Sequence, residues 1–306
     1  MRDRLKNIHV LKSIIGFTDS IKLPGFKGFS FFDLIEMYFL GILKGALTAR
    51  AGSISFSFFM AIFPFLLFIL NLIPFIPIEN FDSILLNFIE ILVPNDSQGF
   101  FSTIFQDIQN KQRGGLLSSV FLLSVILTAN GVSAIFAGFE ESYHIELSRN
   151  FFKQYLYSMG VAVLLAFTLL IAVVVSVYFE IYIFNNIKQL LQNTVNWIRL
   201  GQSFFYIVLT YFSVSILYYF GTIEGRKSKF FSPGALMTTL LIMLTTWFFG
   251  IYIENFSTYN QLYGSIGALL IFMLYIWLNS NVLLLGFELN ATLMRLKNEV
   301  QKKNKT

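Results

Sequence analysis

Apolar residues gather into six runs of helical length, near positions 53–73, 116–139, 159–183, 204–220, 235–253 and 266–285. About twenty such residues cross the roughly 30 Å hydrocarbon core of a bilayer, so each run predicts a transmembrane helix. The first run begins well inside the chain, behind a polar and amphipathic segment, which argues against a signal peptide. Two segments look helical without spanning. Phe32, Ile35, Phe39 and Ile42 recur at three- and four-residue spacing, with Asp33, Glu36 and Lys44 off that stripe. This predicts an interfacial helix over 29–48. Beyond the first span, Phe81, Ile84, Leu85, Phe88, Ile89 and Leu92 form a stripe that Pro94 ends, and Phe101, Ile104, Phe105 and Ile108 form another. They predict a small helical cap within an extracytoplasmic loop, 76–115. The expected fold is an all-α polytopic membrane protein. Its parts are a cytoplasmic segment with an amphipathic helix (1–50), a six-helix transmembrane domain (51–288) and a basic cytoplasmic tail (289–306).

The cationic residues fix an expected orientation. Of 22 Lys and Arg residues, all but Lys111, Arg113, Lys188 and Arg199 fall on one side of a six-span arrangement, the side that carries both termini. The positive-inside rule makes that side cytoplasmic, and an odd number of spans would scramble the asymmetry. A net charge of +5 is thereby accounted for by topology, and no nucleic-acid partner is expected. Only 13% of residues are charged, against about 25% in a soluble domain. With no Cys, the chain has no disulfide, thiolate metal site or cysteine nucleophile.

Polar groups at membrane depth are the candidate functional positions. In the first span Gly45, Ala49, Ser53, Ser57 and Ala61 stand four apart, a small-residue ridge that would let another helix approach, and Pro64 would kink the same helix near Met60. Asn130, mid-way along the second span, is expected to face the bundle interior as helix glue or as the lining of a polar cavity. In the sixth span, Gly264, Gly267, Ile271, Leu274, Leu278, Asn281, Leu285 and Glu288 predict one packing seam. Asn279 projects about 200° from Asn281 and needs a different partner; Asn281 is expected against Asn130 or the serine ridge. Glu288, followed by Asn290, lies just beyond the apolar run. Arg50, Arg149 or water are its candidate partners, in an interfacial ion pair or in a substrate or proton role. The turn holding Glu140, Glu141, His144 and Glu146 has helix-compatible spacing for a divalent cation, but a solvated helix end is far commoner. No metal or cofactor site is expected.

The blocks RAGSISFSFFMAIFPFLLF, LYYFGTIEGRKSKFFSPGALMTTLLIMLTTWFFGIYIENFSTYNQLYGSIGALL and YIWLNSNVLLLGFELNA resemble the YihY/BrkB family of bacterial inner-membrane proteins, once labelled ribonuclease BN. The most specific parts are Pro233, Gly234 and Ala235, then Tyr263, Gly264 and Ser265, then GFELNA ending at Ala291. The resemblance implies six helices with cytoplasmic termini in the inner membrane, and a connection with envelope integrity or transport. It also implies that the nuclease label is a misassignment.

A transporter or flippase-like protein for a lipid or another envelope component is the leading expectation. It fits a proline-interrupted small-residue helix and inward asparagines. A non-transporting structural or assembly protein is the alternative, with the polar groups serving packing alone. A ribonuclease has least support, since the chain offers only His9 and His144 for acid–base chemistry. Membrane lipids are the expected partners, and self-association is left open. No GxxxxGK[ST] loop is present, so active movement would need an ion gradient or another protein.

Overall fold

The computed structural model describes residues 30–72, 117–142, 145, 150–178, 194–255 and 265–303, with a few isolated positions between 83 and 106. They form seven α-helices: α1 (Phe31–Lys44), α2 (Leu47–Leu72), α3 (Leu117–Glu140), α4 (Phe151–Tyr178), α5 (Thr194–Gly221), α6 (Pro233–Asn255) and α7 (Ser265–Lys303). A one-turn 3-10 helix, Gly225–Lys227, joins α5 to α6. Helices α2 to α7 are each long and apolar enough to cross a membrane, which gives the six expected spans. The proposed cap over 76–115 lies almost wholly outside the described residues, as do residues 1–29, His144, Glu146 and Gly264.

Local chemistry sets the helix ends. Ser30 caps α1 through a capping box. Its hydroxyl accepts from the Asp33 N–H at 3.2 Å, while the Asp33 carboxylate accepts the Ser30 N–H at 2.8 Å. Gly45 ends α1, and Ala46 then takes a left-handed conformation (φ 45°) that turns the chain into α2. A side chain at Gly45 would meet the Gly41 carbonyl oxygen at 2.6 Å and an Arg50 nitrogen at 2.8 Å, so glycine is required there by space. Of the stripe read in α1, Phe32 is buried but Phe39 is 53% exposed. The helix packs beside α7, where the Tyr38 hydroxyl donates to the Leu285 carbonyl at 3.2 Å.

The spans pack chiefly as the pairs α2–α3, α6–α7, α3–α4 and α2–α7, with α5 beside α4 and α6. Two apolar clusters fill the interior. One gathers Phe59, Ala166, Val173, Phe272 and Ile276. The other, around Ile54, Phe136, Phe139, Leu284 and Phe287, lies toward the end where α3 finishes and α6 begins. That end bears Arg50, Arg226, Lys229 and Arg295 and is called the basic end below. Phe56, Met60, Leu122, Ile171, Trp247 and Phe248 are more than half exposed on the outside of the bundle, as lipid-facing side chains are.

One expectation about these helices needs correction. Spacing of four turns a helix by about 40° beyond each full circle, so four such steps carry a ridge nearly to the opposite face. Accordingly Ala49 and Ser53 are exposed, Ser57 is half-buried and only Gly45 and Ala61, at the two ends, are buried. The face of α2 that meets its neighbours runs instead through Leu47, Ala51, Ile54, Ala61 and Leu66. Pro64 is half-buried, and α2 continues as helix across it to Leu72. Residues 289–303 belong to the basic tail read from the sequence. They extend α7 to 39 residues, about 58 Å at 1.5 Å per residue and far more than a bilayer core requires. Ala291, Thr292 and Leu296 in that extension are buried.

Candidate functional site

At the basic end, side chains from three spans converge on a carboxylate that water does not reach. Glu288 of α7 is fully buried, and its Oε1 accepts from Arg50 Nη1 at 3.0 Å and Nη2 at 2.9 Å. Its Oε2 accepts from the Ser142 hydroxyl, just past α3, at 2.8 Å. Arg50 Nη1 also approaches the Glu141 carbonyl oxygen at 3.3 Å, and the Glu288 carbonyl oxygen accepts from Thr292. Arg50 is the partner among those the sequence offered, but the pair is interior to the bundle rather than solvated, with side chains 2% and 0% exposed. A buried charge pair persists only when paired and hydrogen-bonded in this way. The Tyr38 hydroxyl nearby has its pKa pushed up to about 12, by burial first and by the Glu288 charge second. It therefore stays a proton donor to Leu285 across the physiological range.

Two residues on from Glu288, Asn290 completes the start of α6. Pro233 has no N–H to satisfy, the Gly234 N–H donates to Asn290 Oδ1 at 2.8 Å, and the Ala235 N–H donates to the Ser232 hydroxyl at 3.3 Å. Asn290 Nδ2 donates in turn to that hydroxyl at 2.7 Å. The first-turn donors, orphaned in any helix, are thus taken up by a cap shared between two spans. An Asn290→Ala variant leaves the Gly234 N–H unpaired and is expected to lose about 1–2 kcal/mol. Asn290→Asp, which keeps the acceptor, is expected to lose less; melting temperatures in one detergent compare them.

Close contact between α6 and α7 follows from two glycines. A methyl group on Gly286 would overlap Thr238 Oγ1 and meet the Gly234 carbonyl oxygen at 2.6 Å and the Tyr218 hydroxyl at 2.7 Å; one on Gly234 would overlap the Gly286 carbonyl oxygen. The Tyr218 hydroxyl, wholly interior, bonds Thr238 Oγ1 at 2.5 Å and donates to the Leu283 carbonyl at 2.6 Å. Phe287 stacks on Phe139, ring centroids 4.2 Å apart. Five of the six residues of the GFELNA stretch therefore help to hold the basic end together. Gly286 allows approach, Phe287 stacks, Glu288 pairs with Arg50, Asn290 caps α6 and Ala291 is buried in the core.

The other candidate asparagines stand elsewhere. Asn130 is exposed on the outside of α3, so neither Asn281 nor the serine ridge meets it. The inward face of α3 is instead Ser124, Thr128, Gly131, Ile135 and Gly138, with Ser142 beyond its end, alternating four and three apart. Gly131 on that face rests against Ala61 and the backbone of Phe58 and Ser57, which accounts for the closeness of α2 and α3. Asn279 and Asn281, both half-buried, donate their amides to carbonyls of their own helix, at Tyr275 (2.9 Å) and Trp277 (2.8 Å). These bonds pair each amide N–H group without another span, while Asn279 Oδ1 stays buried and unpaired. The seam expected on α7 is broken at Leu274, 38% exposed. Ser142, Tyr218, Ser232, Thr238 and Thr128 were not among the candidates read from the sequence; the alternating small and hydroxyl residues of α3 are the signal that marks two of them.

A separate cavity of about 210 Å³ lies among α2, α3, α4 and α5. Its walls are apolar, from Phe58, Ile62, Phe65, Leu165, Leu169 and Leu209, with hydroxyls only at Thr128, Thr168 and Ser213. None of the polar positions singled out in the sequence lines it, although Ala61 of the small-residue ridge does and Pro64 stands in the same α2 segment. Among the described residues, no three His, Asp or Glu side chains gather as a metal site would require.

Residues 39–306 match the family model described as Virulence factor BrkB. The chain is 27% identical over 259 residues to YfkH of Bacillus subtilis (strain 168), a protein with a ribonuclease-like name, covering 81% of this chain and 90% of that one. Over 61 residues it is 41% identical to UPF0761 membrane proteins of Xanthomonas oryzae pv. oryzae (strain PXO99A) and Xanthomonas axonopodis pv. citri (strain 306). Those matches span 20% of this chain and only 14% of either relative. No solved structure matches. With the family model covering all six spans and every residue of the basic-end cluster, the chain belongs to the Virulence factor BrkB family of membrane proteins.

Proposed function

We propose that this protein moves a lipid or another amphipathic envelope component across or within the inner membrane, as a transporter or flippase-like protein with both termini in the cytoplasm. The observation that carries the reading is the cavity among α2 to α5. Its apolar walls suit an acyl chain and offer almost nothing to a hydrophilic solute. On this reading the basic end is the cytoplasmic side, where Arg50, Glu288, Ser142 and Asn290 bind the spans to one another. On the same reading the protein is not an enzyme.

A second reading, a structural or assembly protein of the envelope, draws support from the asparagines. Asn130 faces outward, and Asn279 and Asn281 donate their amides to their own helix, so these three line no common path among the described residues. Proteoliposomes with a fluorescent phospholipid separate the two. Transport predicts loss of inner-leaflet protection at a rate well above empty vesicles, unchanged in Asn281→Leu and reduced several-fold in Ala162→Leu, which places added carbons at the cavity wall. Flux equal to empty vesicles, from protein with a wild-type melting temperature, leaves the structural role.

A further inference from the structure

Hydroxyls within the spans generally return to their own backbone. Ser158, Thr168, Thr210, Thr239 and Ser280 each donate to the carbonyl four residues earlier, at 2.8 to 2.9 Å. Two buried hydroxyls depart from the pattern, Ser215 and, at the cavity, Thr128. Thr128 is 6% exposed, lines the cavity, and its Oγ1 has no hydrogen-bond partner. A hydroxyl left unpaired in an apolar interior is costly, because nothing replaces the bonds it makes in water. The cavity beside it is larger than the roughly 150 Å³ space that admits a benzene-sized guest. Phe58 forms part of the wall and is itself 41% exposed, which brings that wall to the lipid-facing surface.

We propose that the cavity among α2, α3, α4 and α5 binds the acyl chain of an amphiphile, and that the Thr128 hydroxyl donates a hydrogen bond to the carbonyl oxygen at the head of that chain. The apolar walls take the hydrocarbon, and the buried, unpaired Thr128 hydroxyl donates to the carbonyl oxygen that an acyl ester or a fatty acid carries next to its chain. Depth adds to the argument. Thr128 stands halfway along the 24 residues of α3, about 18 Å from either end. A carbonyl held there lies far below the interface where a resting phospholipid keeps its esters, so the bound amphiphile has been drawn toward the middle of the membrane. This site deepens the lipid-handling reading and rests on it for the chemistry of the guest.

The test uses the full chain in vesicles of phosphatidylethanolamine and phosphatidylglycerol, with a photoreactive diazirine in the acyl chain of either phosphatidylglycerol or a free fatty acid. After irradiation, mass spectrometry locates the labelled residues. The expected label falls on the cavity walls from α2 to α5, with the more efficient probe identifying an ester or an acid as the preferred head. Thr128→Val, nearly the same shape, is expected to lower labelling about three- to tenfold, Thr128→Ser to restore it and Ala162→Leu to abolish it. Thr128→Val removes only the unpaired hydroxyl, so its melting temperature is expected not to fall, which separates lost binding from lost fold. Labelling confined to outward residues such as Trp247 and Phe248, or undiminished in Thr128→Val, overturns the site. Specific labelling without flux keeps the site and removes transport, whereas flux with labelling indifferent to Thr128 does the reverse.

Discussion

Arg50→Met is expected to destabilise the protein by about 3–5 kcal/mol, because it strands a carboxylate that has no route to water. Glu288 is fully buried, and Arg50 supplies two of the three donors on its side chain; Ser142 alone remains in the variant. The expected readout is a melting temperature in mild detergent lowered by roughly 10 °C, with much reduced yield of monodisperse protein. Glu288→Gln keeps the shape but leaves the guanidinium unpaired, and is expected to be harmful for the same reason. Arg50→Met combined with Glu288→Met removes both charges and is expected to recover a large part of the loss, since hydrophobic replacement of a whole buried pair is often tolerated. A single Arg50→Met variant that melts with the wild type would show that water or another cation reaches Glu288.

Gly286→Ala is expected to be nearly as damaging, for a steric reason. The added methyl overlaps Thr238 Oγ1, and yielding there disturbs the Tyr218–Thr238 bond and the approach of α6 to α7. Overpacking of this kind costs about 1–3 kcal/mol on its own, and loss of the interior hydrogen bonds adds about 1 kcal/mol or more. Thr238→Ala in the same chain removes the nearest obstacle but is expected to rescue little, because the Gly234 carbonyl oxygen and the Tyr218 hydroxyl still stand within 2.7 Å of the new carbon. Size-exclusion profiles and melting curves of the single and double variants decide the matter. Wild-type behaviour from Gly286→Ala would mean that α6 and α7 lie farther apart than described.

The candidate site divides by the range of the interactions involved. Glu288 and Asn290 stood out as polar groups at the edge of an apolar run, and both hold structural bonds between spans. Arg50 was one of several cations available to Glu288, which lies 238 positions away, and only the packing of α2 on α7 chose it. Asn130 misled because a span that is apolar all round has no amphipathic signal to point inward. Its immediate neighbour Gly131, turned about 100° away, is the residue that meets α2. The ridge of four-spaced small residues failed for the geometric reason of helical drift.

Hydropathy over twenty residues is a local property, and so is the placement of cations in the segments between runs. From these alone the chain determines that it is a six-span helical membrane protein, and the same local grammar of Ser, Pro and Gly marks several helix ends. Which faces of those helices meet was settled by tertiary structure, since lipid and protein interior are equally apolar and helices are chosen for each other by close fit and paired polar atoms. The Arg50–Glu288–Ser142 cluster, the cap that Asn290 places on α6 and the cavity beside Thr128 exist only once distant segments have packed. Each is made of residues whose meaning depends on a neighbour that the linear order does not name.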